Sequence, residues 1–184
     1  MILAAPIALL LLATAAAQPP LPRNLVNPGF EAPGPDDSLY GAQALPGWSV
    51  HRARGYRAHV QTPVAWSSLR APEGRAWLSM GYFARSGPDR GSWIGVSQSI
   101  DARRWRGRRV RVSVAAKPAH FAAHRAWLNV SAGDAQARRG FDQVERWERY
   151  SVELDVPAGA AQLTIEIGAD GDVEIDDIRI EAAR

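Results

Sequence analysis

Apolar and polar residues alternate along much of this chain. Within residues 108–116, three valines at every second position share one face, and Arg109 and Arg111 share the other. A period of two is typical of β-strands with one buried face. Helical periodicity is scarce, so we expect an all-β protein. The same alternation predicts further strands over residues 93–100, 126–131, 148–156 and 163–167.

Gly, Pro and Asp residues separate the predicted strands. Asp170-Gly171 lies between two alternating runs, and this pair predicts a tight hairpin. Pro157-Ala158-Gly159 separates the strands on either side of it. Short, regularly spaced strands with such turns predict an antiparallel sandwich in one domain, which we place at residues 24–184.

The alternation breaks within the last predicted strand. Val173 and Ile175 share one parity, whereas Ile178 and Ile180 share the other, and Asp176-Asp177 lies at the change. A β-bulge at the two aspartates would keep all four apolar side chains on the buried face. We therefore expect one of the two carboxylates to turn toward a specific partner.

The first 17 residues have a different character from the rest of the chain. Residues 2–12 are apolar, and Ala15-Ala16-Ala17 precedes Gln18, a pattern that predicts a secretory signal peptide over residues 1–17. The alternative is an uncleaved anchor, because this length is at the short limit for a membrane span. Residues 18–23 would form a short linker. We expect a periplasmic or extracellular protein without stable membrane insertion after cleavage.

The amino-acid composition limits the kinds of site and partner that the chain can have. The chain of 184 residues has no cysteine, which excludes disulfides, thiolate catalysis and cysteine-based zinc sites. The net charge is +3, and six arginines lie between Arg103 and Arg111. A polyanion partner would suit such a segment. The alternative is a solvated arginine face, and nucleic acid is not expected as a partner of an exported protein.

Four short motifs follow one another along the chain. Together they resemble the galactose-binding-like β-sandwich that many bacterial carbohydrate-binding modules use. The resemblance implies a jelly-roll β-sandwich, a central hairpin at the third motif and a glycan ligand. The motifs are Asn24–Glu31, Pro46-Gly47-Trp48, Ser97–Ile100 followed by Trp105–Val110, and Ile175–Ile178.

The resemblance also implies a structural calcium ion near the two ends of the domain. Glu31 in the first motif and Asp176 in the last match the carboxylate ligands of the family, which backbone carbonyls complete. Calcium prefers hard oxygen ligands of this kind. The alternative is that the two carboxylates cap loops or pair with arginine.

Tryptophan is abundant, with seven residues. An indole packs against the apolar face of a sugar ring, and planar polar groups bind the sugar hydroxyls. Parity places four indoles off the core face of their strands, and we predict that they form a glycan-binding surface: Trp77, Trp93, Trp127 and Trp147. The polar candidates for this surface are Asn129, Arg109 and Arg111. The alternative is that each indole covers a sheet edge or packs beneath a loop, as we expect for the structural Trp48 and Trp105.

The sequence offers no convincing catalytic motif. His120 and His124 are four residues apart, but no acidic third ligand accompanies them. Glu145 and Glu148 lie in an arginine-rich stretch, so solvated ion pairs explain them better than a glycosidase carboxylate pair. No G-x-S-x-G sequence occurs. We therefore do not expect an enzyme.

Two functions are consistent with these features. The first is an exported, non-catalytic carbohydrate-binding module that binds glycan through surface tryptophans. The alternative is a bacterial envelope protein that docks on a protein or a polyanion through its arginine-rich face. Polyanion binding weakens steeply with ionic strength, whereas stacking of sugar on tryptophan does not, so salt dependence separates the two hypotheses.

Overall fold

The computed structural model describes residues 21–32, 45–62, 70–82, 91–118, 125–142 and 145–183. These residues contain β-strands and no helix, and none of their segments could serve as a membrane-crossing helix. The ten strands are β1 (Ser49–Arg52), β2 (Tyr56–Gln61), β3 (Trp77–Tyr82), β4 (Ile94–Asp101), β5 (Arg109–Pro118), β6 (Ala126–Ala132), β7 (Ala135–Gly140), β8 (Glu148–Asp155), β9 (Gln162–Ala169) and β10 (Val173–Ala182).

The strands form two five-stranded antiparallel sheets. Sheet A has the order β1-β4-β9-β6-β7, and sheet B has the order β2-β3-β10-β5-β8. The chain crosses from one sheet to the other at every connection except β2–β3 and β6–β7. This confirms the predicted all-β jelly-roll sandwich.

The core lies between the two sheets and contains the apolar parity of each strand. On β5 the side chains of Val110, Val112 and Val114 are fully buried, and on β9 so are those of Ile165 and Ile167. Burial of each such side chain stabilises the fold by roughly 1.5–3 kcal/mol. The alternation read from the sequence therefore assigns the buried face of these strands correctly.

Two predicted hairpins are wrong. Asp170-Gly171 joins β9 to β10, but these strands lie in different sheets, and the segment is a crossover. The same holds for the central hairpin that the family resemblance implied, because β4 belongs to sheet A and β5 to sheet B. A short turn between two alternating runs can join two strands of the same sheet or two strands of different sheets. The choice depends on which partner strands pair with each run.

The predicted bulge in the last strand is confirmed. The register of β10 against β5 shifts between Asp176 and Arg179, and Asp177 has a positive φ of 48°. Ile175 and Ile178 are both buried as a result. The Asp177 carboxylate accepts a hydrogen bond from Nε of Arg179 at 2.7 Å and also pairs with Arg149.

Several predictions fall on residues outside the described ranges. They concern the signal peptide over residues 1–17, residues 18–20 of the linker, and the histidines His120 and His124. The last linker residues are described, and the Pro22 carbonyl accepts a hydrogen bond from the Asp101 amide at 2.8 Å.

Candidate functional site

Two glycines lie opposite each other on the adjacent strands β4 and β9 of sheet A. Gly95 on β4 and Gly168 on β9 are direct cross-strand partners, and Trp127 on β6 is the partner of Gly168 on its other side. A Cβ atom at Gly95 would lie 2.6 Å from Cζ3 of Trp93, and a Cβ atom at Gly168 would lie 2.5 Å from Cζ2 of Trp127. Both indoles therefore occupy space that any larger residue would fill.

Four planar side chains form a row across the outer face of sheet A, which we call the aromatic row. It consists of His51, Trp93, Trp127 and Arg138, contributed by β1, the residue preceding β4, β6 and β7. The imidazole of His51 stacks on Trp93 with a centroid distance of 3.9 Å. The indole centroids lie 5.7 Å apart with an interplanar angle of 53°. The Arg138 guanidinium carbon lies 4.4 Å from the Trp127 ring centroid.

Polar side chains border the aromatic row. Glu166 on β9 accepts a hydrogen bond from Nε1 of Trp127 at 3.3 Å, which fixes that indole. Asn129, the cross-strand partner of Glu166, accepts a hydrogen bond from Gln136 at 2.8 Å. The hydroxyls of Ser99 and Thr164, further along the same face, are 2.7 Å apart. Hydrogen-bond donors and acceptors thus surround an aromatic centre.

The structure brings together three of the seven predicted ligand-binding residues. Trp93, Trp127 and Asn129 lie on the outer face of sheet A. Trp147 is half-buried directly before β8, which belongs to sheet B. Trp77 is only 2% exposed, so it offers no face to a ligand. Parity had correctly placed Trp77 off the core cluster, but parity does not reveal what packs over the outer side of a sheet.

Arg109 and Arg111 lie on the opposite sheet from the aromatic row. Each is paired with the acidic residue directly across the β5–β8 ladder, Asp155 and Glu153 respectively. Nη2 of Arg109 lies 2.9 Å from Asp155, and Nη2 of Arg111 lies 2.6 Å from Glu153. The prediction that these arginines accompany the tryptophans is wrong, because the strand order separates them.

Sequence reasoning missed six residues of the site. They are His51, Gly95, Gln136, Arg138, Glu166 and Gly168. Two of these carried a readable signal, because a glycine inside an alternating strand marks a close approach by another group. The other four could be found only from the order of the strands in sheet A.

The two predicted calcium ligands face the same short loop. Oε1 of Glu31 accepts hydrogen bonds from the amides of Arg75 and Ala76 at 2.7 and 2.9 Å. Asp176 is fully buried and accepts hydrogen bonds from the amides of Glu73 at 3.0 Å and Asp177 at 2.7 Å. Burial raises the pKa of Asp176 to about 6, although the two amides favour its charged form.

Gly29 lies beside the side chains of Asp176, Glu31 and Glu73. A Cβ atom there would lie 3.5 Å from Oδ1 of Asp176, 3.8 Å from Cγ of Glu31 and 3.8 Å from Oε2 of Glu73. The oxygen-only donor set suits calcium. In the part of the chain that the structure describes, no three His, Cys, Asp or Glu side chains are arranged to hold a metal. Further ligands would therefore be backbone carbonyls.

Comparisons with known proteins identify the fold. The sequence matches no protein-family model and no curated protein. Among solved structures, TmCBM61 in complex with β-1,4-galactotriose is similar with a TM-score of 0.59 at 18% identity, over 88% of this chain and 99% of that one. The CBM22-1 xylan-binding domain from Paenibacillus barcinonensis Xyn10C has a TM-score of 0.50 at 17% identity, over 85% and 92%.

One similar structure is an enzyme. The enzymatically active domain of bacteriophage CBA120 tailspike protein 4 has a TM-score of 0.55 at 13% identity, over 74% of this chain. This chain spans 19% of that tailspike chain. The chain therefore has the galactose-binding-like jelly-roll fold of carbohydrate-binding modules, and the two modules named above match it over 99% and 92% of their own length.

Proposed function

We propose that this protein is an exported, non-catalytic carbohydrate-binding module that binds glycan on the outer face of sheet A. The observation that carries the proposal is the indole pair of Trp93 and Trp127, which lies over the glycine pair of β4 and β9. A glycine pair is costly within a sheet, because it packs no side chains and loses more backbone entropy. Here it makes room for two large aromatic rings.

Sugar would bind by packing the apolar face of a pyranose ring on an indole. Glu166, Asn129 and Gln136 lie beside the rings and present carboxylate and amide groups to the sugar hydroxyls. Carboxylate and amide groups that form hydrogen bonds with sugar hydroxyls fix the orientation of a bound sugar. The backbone ladder holds these side chains on neighbouring strands, so the site is largely preformed.

The charges of this face favour an uncharged glycan. Arg138 and Glu166 carry opposite charges and lie on either side of Trp127. The two similar modules are described with β-1,4-galactotriose and as xylan-binding. We extend that class to this chain and propose a neutral, β-linked polysaccharide as its ligand.

Arg138 and His51 restrict access to the rings. The guanidinium lies over the Trp127 ring, and the imidazole covers part of Trp93. An exposed cation–π contact is worth roughly 0.5–1 kcal/mol, so the guanidinium can swing aside at a modest cost. After the swing, Arg138 would lie beside the bound sugar and donate hydrogen bonds to it.

Calorimetric titration of the purified protein with galactan and xylan oligosaccharides tests this site. We expect Trp127→Ala to weaken binding at least tenfold, which corresponds to about 1.4 kcal/mol. Trp147→Ala is the matched control, because that indole belongs to sheet B, and its binding should equal that of the wild type. Equal losses in both variants, or no binding by the wild type, would refute the assignment to sheet A.

We also propose that the carboxylates of Glu31 and Asp176 hold a structural calcium ion. Carboxylate oxygens of Asp176 and Glu73 lie near Gly29, and burial, together with the neighbouring carboxylates of Asp177 and Glu31, disfavours the charge on Asp176. A bound cation would offset that desolvation and would tie the N-terminal segment to β10. Its role would be stability and not chemistry.

The arrangement gives less support to docking through the arginine-rich face. Arg103, Arg109 and Arg111 are each paired with a carboxylate, which reduces the positive charge that a polyanion would meet.

The candidate carboxylate pair for hydrolysis, Glu145 and Glu148, also has another explanation, since Glu148 lies 3.0 Å from Nε of Arg146. A periplasmic or extracellular location remains a prediction from the first 17 residues.

A further inference from the structure

An open cavity of about 400 Å³ lies at the end of the sandwich away from the aromatic row. Three segments enclose it: the N-terminal stretch, the β4–β5 connection and the final part of β10. Its lining residues include Arg23, Asn24, Ile100, Arg104, Trp105 and Ile178. Along β4, Ile100 is seven residues from Trp93, or about 23 Å at 3.3 Å per residue. The cavity is therefore separate from the proposed glycan site.

The arginines around this cavity fall into two groups. Arg103 is paired with Asp101, which holds the pKa of that carboxyl at about 2, and Arg179 is paired with Asp177. Arg23 and Arg104 form no ion pair with any carboxylate among the described residues. The cavity thus retains two cations that the surrounding protein does not neutralise.

Neutral groups hold Arg104 in place. Its Nη1 donates a hydrogen bond to the side-chain oxygen of Asn24, and its guanidinium carbon lies 4.2 Å from the Trp105 ring centroid. Neither contact cancels its charge. A guanidinium fixed in this way is preorganised, because a ligand would not have to order a flexible side chain.

Trp105 lines the cavity with a largely buried ring. This residue is 6% exposed, and its Nε1 is closed to solvent and has no hydrogen-bond acceptor among the described residues. Glu181, the acid that lines the cavity, is well exposed and lies 3.7 Å from Arg111.

We propose that this cavity binds the oxyanion of a small organic acid, with an acidic sugar as the ligand class. Arg23 and Arg104 line it with guanidinium groups, which are hydrogen-bond donors and have no carboxylate partner among the described residues. A carboxylate or sulfate presents only acceptors and pairs with guanidinium through strong, charge-assisted hydrogen bonds. Ile100 and Ile178 supply an apolar wall for the body of such a molecule.

Amide and indole N–H signals in ¹⁵N-correlated NMR spectra provide a direct test. Glucuronate is the probe, glucose is its uncharged counterpart, and sodium sulfate is the free anion. We expect glucuronate to shift the Trp105 indole signal, which Trp105→Phe assigns by its disappearance, and glucose to leave it in place. A sulfate response of equal affinity would identify the anion alone as the ligand, whereas a weaker one would show that the sugar body contributes.

Matched arginine variants locate the binding. Arg104→Gln should weaken glucuronate binding at least tenfold, whereas Arg108→Gln, an exposed arginine of the same connection outside the lining, should change it less than twofold. Trp127→Ala should leave this binding unchanged, which separates the result from the glycan site. Equal losses in the two arginine variants, a response to glucose, or no response to glucuronate or sulfate would overturn the proposal.

Discussion

At the scale of single residues, the glycines of sheet A leave the space that the two indoles occupy. Neither Gly95 nor Gly168 is among the glycines with a positive φ angle, so the backbone conformation does not require glycine at either position. The constraint comes from neighbouring atoms. Both rings lie within 2.6 Å of the place that a Cβ would take, and at Gly95 the Ile167 carbonyl oxygen lies 2.8 Å from it as well. A methyl group at Gly168 would therefore displace the Trp127 indole.

Gly168→Ala should consequently impair binding without unfolding the protein. The added methyl group would displace Trp127 and disturb its hydrogen bond to Glu166, and we expect at least a tenfold loss of glycan affinity in calorimetry. The cost of such overpacking to folding is about 1–3 kcal/mol.

Gly140→Ala is the control for this change. Gly140 is the other cross-strand partner of Trp127, yet a Cβ there meets only the Ala126 carbonyl, at 4.0 Å. If both variants bind like the wild type, the indole positions do not determine affinity.

His59 on β2 gives the stability of the fold a dependence on pH. Burial lowers the pKa of His59, the neighbouring charge of Arg57 lowers it further, and Nε2 of the imidazole is 2.8 Å from the Gln61 amide nitrogen. Protons then bind the unfolded chain more readily than the folded one. The free energy of unfolding should fall as the pH drops below about 6.5, the ordinary pKa of histidine.

His59→Gln removes this titration. Urea denaturation at pH 8 and pH 5.5 should show a smaller decrease in stability for the variant than for the wild type. An unchanged difference between the two pH values would assign the pH dependence to other groups.

At the scale of an element, the β10 bulge concentrates the charge pairing of sheet B. The Asp177 side chain is 4% exposed and pairs with Arg149 and Arg179. By contrast, the Arg109–Asp155 pair lies in solvent, with side chains 56% and 73% exposed. The same pair of chemical groups should therefore contribute differently to stability at the two places.

Asp177→Asn should lower the free energy of unfolding by about 2 kcal/mol, because it removes the buried negative charge that pairs with two guanidinium groups. Asparagine tolerates the positive φ of this position, so backbone strain is not added. Asp155→Asn should change stability by less than about 1 kcal/mol. Chemical denaturation measures the loss of stability in both variants. Equal losses would show that the ion pairs at the bulge contribute no more to stability than an ion pair in solvent.

At the scale of the whole molecule, calcium would link the beginning and the end of the domain. If the proposed site binds the ion, calcium at one hundred times its dissociation constant stabilises the fold by about 2.7 kcal/mol. Thermal unfolding with calcium and with a chelator measures this gain. Glu31→Gln should abolish it, and Glu153→Gln, which removes a surface carboxylate elsewhere, should retain it. A gain that survives Glu31→Gln would place the ion at another site.

The sequence predicted most of the strands and their buried faces because both follow from a period of two, whereas β2 and β7 were not predicted. Val110 and Ile165 are buried as their parity required. The alternation of apolar positions gives no information on the order of strands within a sheet, and the site depends on that order. Trp93 and Trp127 are adjacent only because β9 lies between β4 and β6 and carries glycine at the crossing point.

The incorrect predictions share the same physical cause. The acidic partners of Arg109 and Arg111 lie on β8, and only the register of the β5–β8 ladder brings them together. Trp77 was correctly placed on the outer side of its strand but is covered there. Long-range pairing determines both outcomes, and residues close in the sequence carry little information about it.

The closeness of the two indoles also has an optical consequence. Rings with centroids 5.7 Å apart and planes inclined by 53° couple their electronic transitions, which produces an exciton couplet in the far-ultraviolet circular dichroism spectrum. A ligand that turns either ring would change the sign or size of that couplet. The protein thus contains its own unlabelled reporter of binding, located at the site itself.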